Sequence, residues 1–425
     1  MKQLILPLIV ILCSLRLQAQ EKSLEYFVDQ GVENAPALLE SRNLLKIGDL
    51  QDERILAENN AWHLNATSEI MVSPYFNNDG KAIAITPNPD PEAIGYDVGI
   101  TNGGLYSAQL NLTKNLLNQS TVQNLLFQNK VDKESQILNA EETHHLLEKK
   151  ITDVYILAYL YQLEEAFIST TIADLETRKS IVEILVKRGI LPESDYLLIQ
   201  VDLESRKLEL EQIQNNYNTF YIQLGNLCGI SVPAFTRLAK PDLQLQKEKD
   251  TLFFEKRYMN DSLKIAAEQQ VFENRYKPQL LAYGNTGLNA VEIPDMERKF
   301  GMSAGVRLTI PIYDGNQRNY ATLQNDLKYE NLQNYRKNNE IQLENNLKSL
   351  KLQISHIKTS LEQLESQLEH QKTLIELYKG MLVQGQVSII NYLSVIQNFR
   401  QMTFTKFQAQ TNLWLLYNQL NFTNW

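Results

Sequence analysis

Cysteine is almost absent from this chain of 425 residues, which has only Cys13 and Cys228. Cys13 lies in an apolar opening run, so if that run is removed one thiol remains and no intrachain disulfide framework is possible. Past the opening, no stretch stays apolar for the ~20 residues that a membrane-crossing helix needs. If the chain enters a membrane, it must do so as part of a closed β-barrel. Positive charge is not in excess: 41 Lys and Arg stand against 50 Asp and Glu, a net charge of −9. With no basic patch, a nucleic-acid partner is excluded. Neither a Gly-rich phosphate loop nor a G-x-S-x-G elbow occurs, so no enzyme, cofactor or catalytic residue is expected. Proline and glycine, 12 and 17 in all, are missing from about Leu116 to Arg188.

What is present begins with a targeting signal. Lys2 supplies a positive start, Leu4 to Leu15 is apolar, and Arg16-Leu-Gln-Ala-Gln20 offers cleavage at Ala19. This reads as a secretory signal over residues 1–19, too short to serve as an anchor. Leu12 precedes Cys13 where a lipoprotein signal requires a small residue, so cleavage is expected and not lipidation. Losing Lys2 and Arg16 makes the exported chain more acidic still.

In the Pro- and Gly-free stretch the apolar residues fall into heptads. Leu147, Ile151, Val154, Ala158, Tyr161, Ile168, Ile172, Leu175, Val182 and Val186 follow steps of four and three, with Glu165 and Lys179 as exceptions. A second series runs Leu343, Leu347, Leu350, Ile354, Ile357, Leu361, Leu364, Leu368, Ile375, Tyr378 and Leu382, interrupted at Gln371. Heptads sustained over this length predict coiled-coil packing. About 73 residues of continuous helix would extend roughly 110 Å, a rod or a tube. Each series stops at a glycine, Gly189 and Gly385, followed by cap candidates (Ser194 or Asp195; Ser388 or Asn391). That is a helical hairpin signature. The returning helices carry stripes of their own, broken at Arg206 and Lys406.

Ahead of each long helix lies a strand pattern. In Ser303-Ala-Gly-Val-Arg-Leu-Thr-Ile-Pro-Ile-Tyr-Asp-Gly315, Met302, Ala304, Val306, Leu308 and Ile310 alternate with Ser303, Gly305, Arg307 and Thr309. In the weaker copy at Ser107, Tyr106, Ala108, Leu110 and Leu112 alternate with Ser107, Gln109, Asn111 and Thr113. An apolar face opposite a polar one suits a barrel with lipid outside and water inside. Val306, Leu308, Leu110 and Leu112 are the residues expected to face lipid. Each strand has a hairpin partner, over about 64–113 and 278–312. The first connection, Ser73 to Tyr96, is dense in Pro, Asn, Asp and Gly and reads as loop.

The two copies keep one offset: Ser107/Ser303, Thr113/Thr309, Gly189/Gly385, Tyr196/Tyr392, Leu197/Leu393, Tyr221/Tyr417 and Leu224/Leu420. So regular an offset indicates a tandem duplication. The repeats run over 20–229 and 251–425, with a linker over 230–250. Each holds a helix, a β-hairpin, a long helix and a returning helix. Two hairpins supply four strands, which cannot close a barrel, and open edges in lipid cost several kcal/mol per unpaired group. Three copies would supply twelve strands.

The whole chain after the signal resembles the TolC-type family of outer membrane efflux proteins. The resemblance rests on Gly305-Val-Arg-Leu-Thr-Ile-Pro-Ile-Tyr-Asp-Gly315, on Lys277-Pro-Gln-Leu280, and on the Gly189 and Gly385 turns followed by Asp195-Tyr-Leu and Asn391-Tyr-Leu. It implies a mainly α fold with a membrane β-barrel: a homotrimer with a periplasmic α-barrel of coiled-coil helices and a 12-stranded barrel, four strands per protomer, in outer membrane lipid. It also implies a passive duct of a tripartite efflux or type I secretion system, with a periplasmic adaptor and an inner-membrane pump as partners. The cargo, whether drug, metal or protein, is not implied. The tip of the helical hairpins, Gly189, Asp195, Gly385, Asn391 and Ser394, is then the pore entrance and adaptor contact. Relatives carry acids six and nine positions after the second glycine. Here Asn391 and Ser394 stand there, Val387 replaces a frequent basic residue, and the acid persists only as Asp195.

Other groups invite chemistry without supporting it. Glu141 to Glu148 sets His144 and His145 among carboxylates at ordinary helical spacings, which reads as a solvated face, so no metal site is assigned. Cys228 has no basic neighbour in sequence and reads as a buried thiol. Tyr75, Phe76, Tyr106, Tyr283 and Tyr313 near strand ends are candidates for interfacial girdles. A structural periplasmic or surface coiled-coil protein without a channel is the alternative; it accounts for the heptads and leaves the duplicated strands without a role.

Overall fold

A computed structural model describes residues 21–96, 104–232, 236–246, 253–294 and 296–425. The expected signal over 1–19 lies outside the described residues, as does part of the expected 230–250 linker.

Helix dominates, and its breaks fall where the sequence punctuates it. α1 (Leu24–Asn34) is capped by Ser23, whose hydroxyl accepts the amide of Tyr26 at 3.3 Å. α2 (Pro36–Asn60) opens on proline, whose missing N–H would be unpaired at a first helical position anyway. α3 (Gln119–Lys187) runs for 69 residues and α6 (Gln317–Val383) for 67. α4 (Glu193–Cys228) and α7 (Ile389–Thr423) return, and α5 (Phe253–Glu273) leads into the second pair of strands. Among the described residues, no helix is long and apolar enough to cross a membrane.

The chain forms two compact units. One comprises residues 21–43 with the described parts of 137–256 and 335–425. Its cores are the heptad stripes: Ile168, Ile172, Leu175 and Val182 pack with Ile199, Leu203, Leu382 and Ile389, and Leu350, Ile354 and Leu361 with Leu413, Leu416 and Leu420. Three of the interruptions find partners. Gln214 donates to Glu165 at 2.9 Å, the Lys179 ammonium lies 5.4 Å from the Tyr196 ring, and Lys406 pairs with Glu365 at 2.8 Å. A third core surrounds Phe27, Tyr155 and Tyr221. There the Tyr155 hydroxyl donates to the carbonyls of Lys22 and Ala239, at 2.9 and 2.6 Å, and so ties the linker to α3. Cys228 is fully buried in this core, and burial pushes its thiol up to about 11, which keeps it an inert donor to the Phe27 carbonyl.

The other unit comprises Leu44–Gln136 and Arg257–Asn334. Its sheet has the order β1 (His63–Val72), β4 (Gly104–Asn115), β5 (Gln279–Ala290), β6 (Phe300–Thr309), with every neighbour antiparallel. β6 ends one residue before the expected Ile310, because Pro311 withdraws a donor and restricts the residue before it. The connection expected to be loop is partly ordered. It contains a hairpin of β2 (Tyr75–Asn78) and β3 (Lys81–Ala84), turned by Asn77, Asp79 and Gly80 at positive φ. Asn78 accepts the amide of Asp90 at 2.6 Å, and Tyr75 is buried against Gly95.

Candidate pore entrance and membrane sheet

Register decides which strand residues share a face, since side chains alternate along a strand. Leu64↔Leu112, Ala66↔Leu110, Ile70↔Tyr106, Leu280↔Leu308, Ala282↔Val306, Gly284↔Ala304 and Thr286↔Met302 all lie on one face. Leu110↔Thr286 and Leu112↔Gly284 join the two halves. Val306, Leu308, Leu110 and Leu112 therefore share a single surface, as their alternation requires. That surface is bare in the protomer: Ile70 is 76% exposed, Val306 67% and Met302 82%. The opposite face collects Asn65, Thr67, Gln109, Asn111, Thr113, Tyr283, Asn285, Ser303, Arg307 and Thr309. The aromatic girdle does not form as a group. Tyr106 is on the apolar face, Tyr283 is on the polar one, and Tyr75 is buried in its own hairpin.

Sequence reasoning missed the device where strand meets helix. The Asp314 carboxylate accepts the Tyr276 hydroxyl at 2.6 Å and the Arg318 amide at 2.8 Å. Both bonds hold its pKa below the usual carboxylate range. Arg318 in turn pairs with Glu273 at 2.7 Å. An Asp-Gly pair just ahead of the first residue of α6 was the signal available.

The helix turns belong to the other unit. Gly189 and Gly385 take φ of 73° and 70°, a left-handed conformation that glycine adopts at little cost. Both close a Schellman pair. Gly189 and Ile190 donate to the carbonyls of Val186 and Leu185, each at 2.9 Å, and Gly385 and Gln386 to those of Leu382 and Met381, at 3.0 and 2.9 Å. The caps that follow differ from expectation. Ser388 caps α7, its hydroxyl accepting the Asn391 amide at 3.4 Å. Neither Ser194 nor Asp195 caps α4. Pro192 occupies that position without a side-chain bond, because its fixed φ already sets the extended conformation an N-cap needs. Asp195 is instead the third residue of α4 and only 7% exposed, whereas Asn391, the third of α7, and Ser394 are exposed.

Two charged sets lie behind the turns. The Tyr392 ring is fully buried, and its hydroxyl lies 3.5 Å from Asp174, which Arg178 also holds at 3.1 Å. Burial pushes Tyr392 up to about 12, so it stays a neutral donor. Farther along, Glu209 bridges Arg206 and Arg400, the latter at 2.7 Å, and Arg206 also reaches Asp202 at 3.1 Å. Glu164, almost fully buried, is raised to about 7 by burial and by Glu209. In the expected metal-poor segment, His145 stacks on Phe422 and Trp425, with centroids 4.8 and 4.1 Å away.

No protein-family profile and no curated protein matches the chain. Solved structures do. CusC, described as undergoing transmembrane channel formation, has 12% identity and a TM-score of 0.71 over 95% of this chain and 92% of its own. The outer membrane protein VceC of Vibrio cholerae has 10% identity and a TM-score of 0.69 over 94% and 95%. The MtrE outer membrane channel of Neisseria gonorrhoeae, in its open state, has 12% identity and a TM-score of 0.69 over 94% and 88%. This is the TolC-type channel fold. At such identities it is the backbone that is shared. In this chain's version of the TolC-type fold, Asp195 and Asn391 occupy corresponding third positions of α4 and α7.

Proposed function

We propose that the protein is the outer membrane channel component of a tripartite efflux or type I secretion system. It acts as a passive duct through the outer membrane and the periplasm. The observation that carries the reading is the four-stranded sheet, which bares one apolar face and whose edge strands, β1 and β6, have no second neighbour among the described residues. Backbone groups on such edges are satisfied in lipid only by closure, and three copies in a homotrimer close a twelve-stranded barrel. Val306, Leu308, Leu110 and Leu112 then face lipid, and the polar face lines the lumen. The heptad helices of two tandem repeats, 20–229 and 251–425, continue the wall as a periplasmic α-barrel, and the 230–250 linker lies between them.

The tip at Gly189, Asp195, Gly385, Asn391 and Ser394 serves as pore entrance and as contact for a periplasmic adaptor, which couples it to an inner-membrane pump. With Asn391 and Ser394 neutral, packing around Ile389 and Leu382 and the Tyr392–Asp174 contact hold the entrance. A coiled-coil protein without a channel would have no use for the bare apolar sheet face. Fractionation combined with planar-bilayer recording tests the proposal. Recovery in the outer membrane with discrete conductance steps is expected; a soluble periplasmic protein without conductance refutes it.

A further inference from the structure

The polar sheet face is nearly free of full charges. Over the four strands it presents mainly Asn, Thr, Ser, Gln and His63, with Met71, Leu105, Leu281 and Tyr283 among them, and only Glu69 and Arg307 carry fixed charge. Arg307 is exposed, and among the described residues no carboxylate pairs with it. Among the described residues its recorded partner is an uncharged one, the Tyr283 ring, whose centroid lies 5.6 Å from the guanidinium. Gly305 makes this arrangement possible. Tyr283 lies opposite it in register, and a Cβ on Gly305 would come within 2.7 Å of the Tyr283 hydroxyl. The ring therefore leans across β6 into the space glycine leaves, and the guanidinium rests against it. Such a contact positions a cation without neutralising it.

Glu69 does not cancel this charge. Through the register Glu69 aligns with Ser107 and Asn289, whereas Arg307 aligns with Leu281. Asn289 and Leu281 are roughly 26 Å apart along β5 at ~3.3 Å per residue. That exceeds the roughly 8 Å over which charge is screened at physiological salt.

We propose that Arg307 is a charge-selectivity residue that favours anionic solutes, those bearing carboxylate, phosphate or sulfate groups, in the strand-built part of the duct. The inference rests on the reading that the polar face lines the lumen of a closed barrel. Three copies then set three guanidiniums at one level, near the end of β6 that leads to α6, in a wall lined mostly by uncharged side chains. A ring of this kind attracts anions and repels cations, and guanidinium can also grip an oxyanion in a forked pair of bonds.

The test is the reversal potential of the reconstituted protein under a tenfold KCl gradient. Arg307→Gln should lower the chloride-to-potassium permeability ratio at least threefold, and Arg307→Glu should lower it further. Arg307→Lys should retain the wild-type ratio, and Glu69→Gln should raise it. Should the glutamine or glutamate variant fail to assemble, Arg307→Cys replaces them, since the buried Cys228 leaves the new thiol as the reactive one. A cationic thiosulfonate should then restore the ratio and an anionic one depress it. Conducting variants with an unchanged reversal potential, or a cysteine variant indifferent to the sign of its label, overturn the proposal and leave the duct intact. A wild-type protein that never conducts refutes the duct and this inference together.

Discussion

Glu164 is buried in α3, no hydrogen bond or ion pair among the described residues reaches it, and its pKa stands at about 7 against an ordinary 4.5. Burial is the larger cause and the Glu209 carboxylate adds to it. Because the folded state holds this proton more tightly than the unfolded state does, Glu164 favours folding fully below about pH 4.5. That contribution is lost as pH rises through about 7. Glu164→Gln, which stays neutral, should stabilise the protein at pH 8 by roughly 1–2 kcal/mol after allowing for solvent screening, and change little at pH 4.5. Thermal unfolding at the two pH values checks this; equal shifts at both would mean the side chain is not titrating. Asp195 is a second case. It lies covered in the first turn of α4, where a negative charge meets the helix dipole. Asp195→Asn should cost ~0.3–1 kcal/mol and leave the ion preference of the channel unchanged, as a single-channel recording beside a melting curve would report. Residues of this kind were the least legible in sequence. Glu165, Lys179 and Lys406 read as flaws in a heptad, because their partners come from other helices or from ring faces that spacing does not reveal, whereas Arg206 pairs within its own helix with Asp202 and Glu209.

Elements were far more legible, since periodicity and punctuation are local. The heptads located α3 and α6, and the glycines located their ends to within a residue or two. Alternation located β4 and β6 and sorted their faces, and the register then carried that sorting across the whole sheet. Two things escaped. The β2–β3 hairpin is stabilised by the Asn78–Asp90 bond and by the burial of Tyr75, contacts across a stretch whose composition says only turn. The cap of α4 went to Pro192, where side-chain chemistry pointed to its neighbours. The face assignment has a direct test. Leu308 and Thr309 are adjacent, and successive strand residues point to opposite sides. Leu308→Arg should cost about 2–4 kcal/mol near the bilayer midplane and reduce assembled protein in the membrane. Thr309→Arg should assemble normally and alter conductance. Equal harm from both in a heat-modifiable gel assay would reverse or abolish the assignment.

At the scale of the whole molecule the sheet is unfinished. Among the described residues β1 and β6 each have one neighbour, so each presents a row of backbone donors and acceptors that no strand of those residues pairs. In water such edges are tolerable. In hydrocarbon each unpaired group costs several kcal/mol, more in total than the ~5–15 kcal/mol by which a typical domain is stable. A lone protomer inserted in lipid is therefore not an available state, and pairing β1 of one copy with β6 of the next removes the cost at every edge only if the ring closes. The apolar residues bare on the sheet face impose the same condition from the other side, since water would leave Ile70, Met302 and Val306 exposed. Folding of the sheet, insertion and assembly should then be one event whose midpoint depends on protein concentration. Native mass measurement of the detergent-extracted protein should give a trimer at every concentration at which strand structure persists. Dilution should lose trimer and strand signal together, whereas the helical signal from the heptad cores outlasts them. A stable monomer with an intact sheet would sink this account, because it would mean that the edges of β1 and β6 are satisfied within one chain.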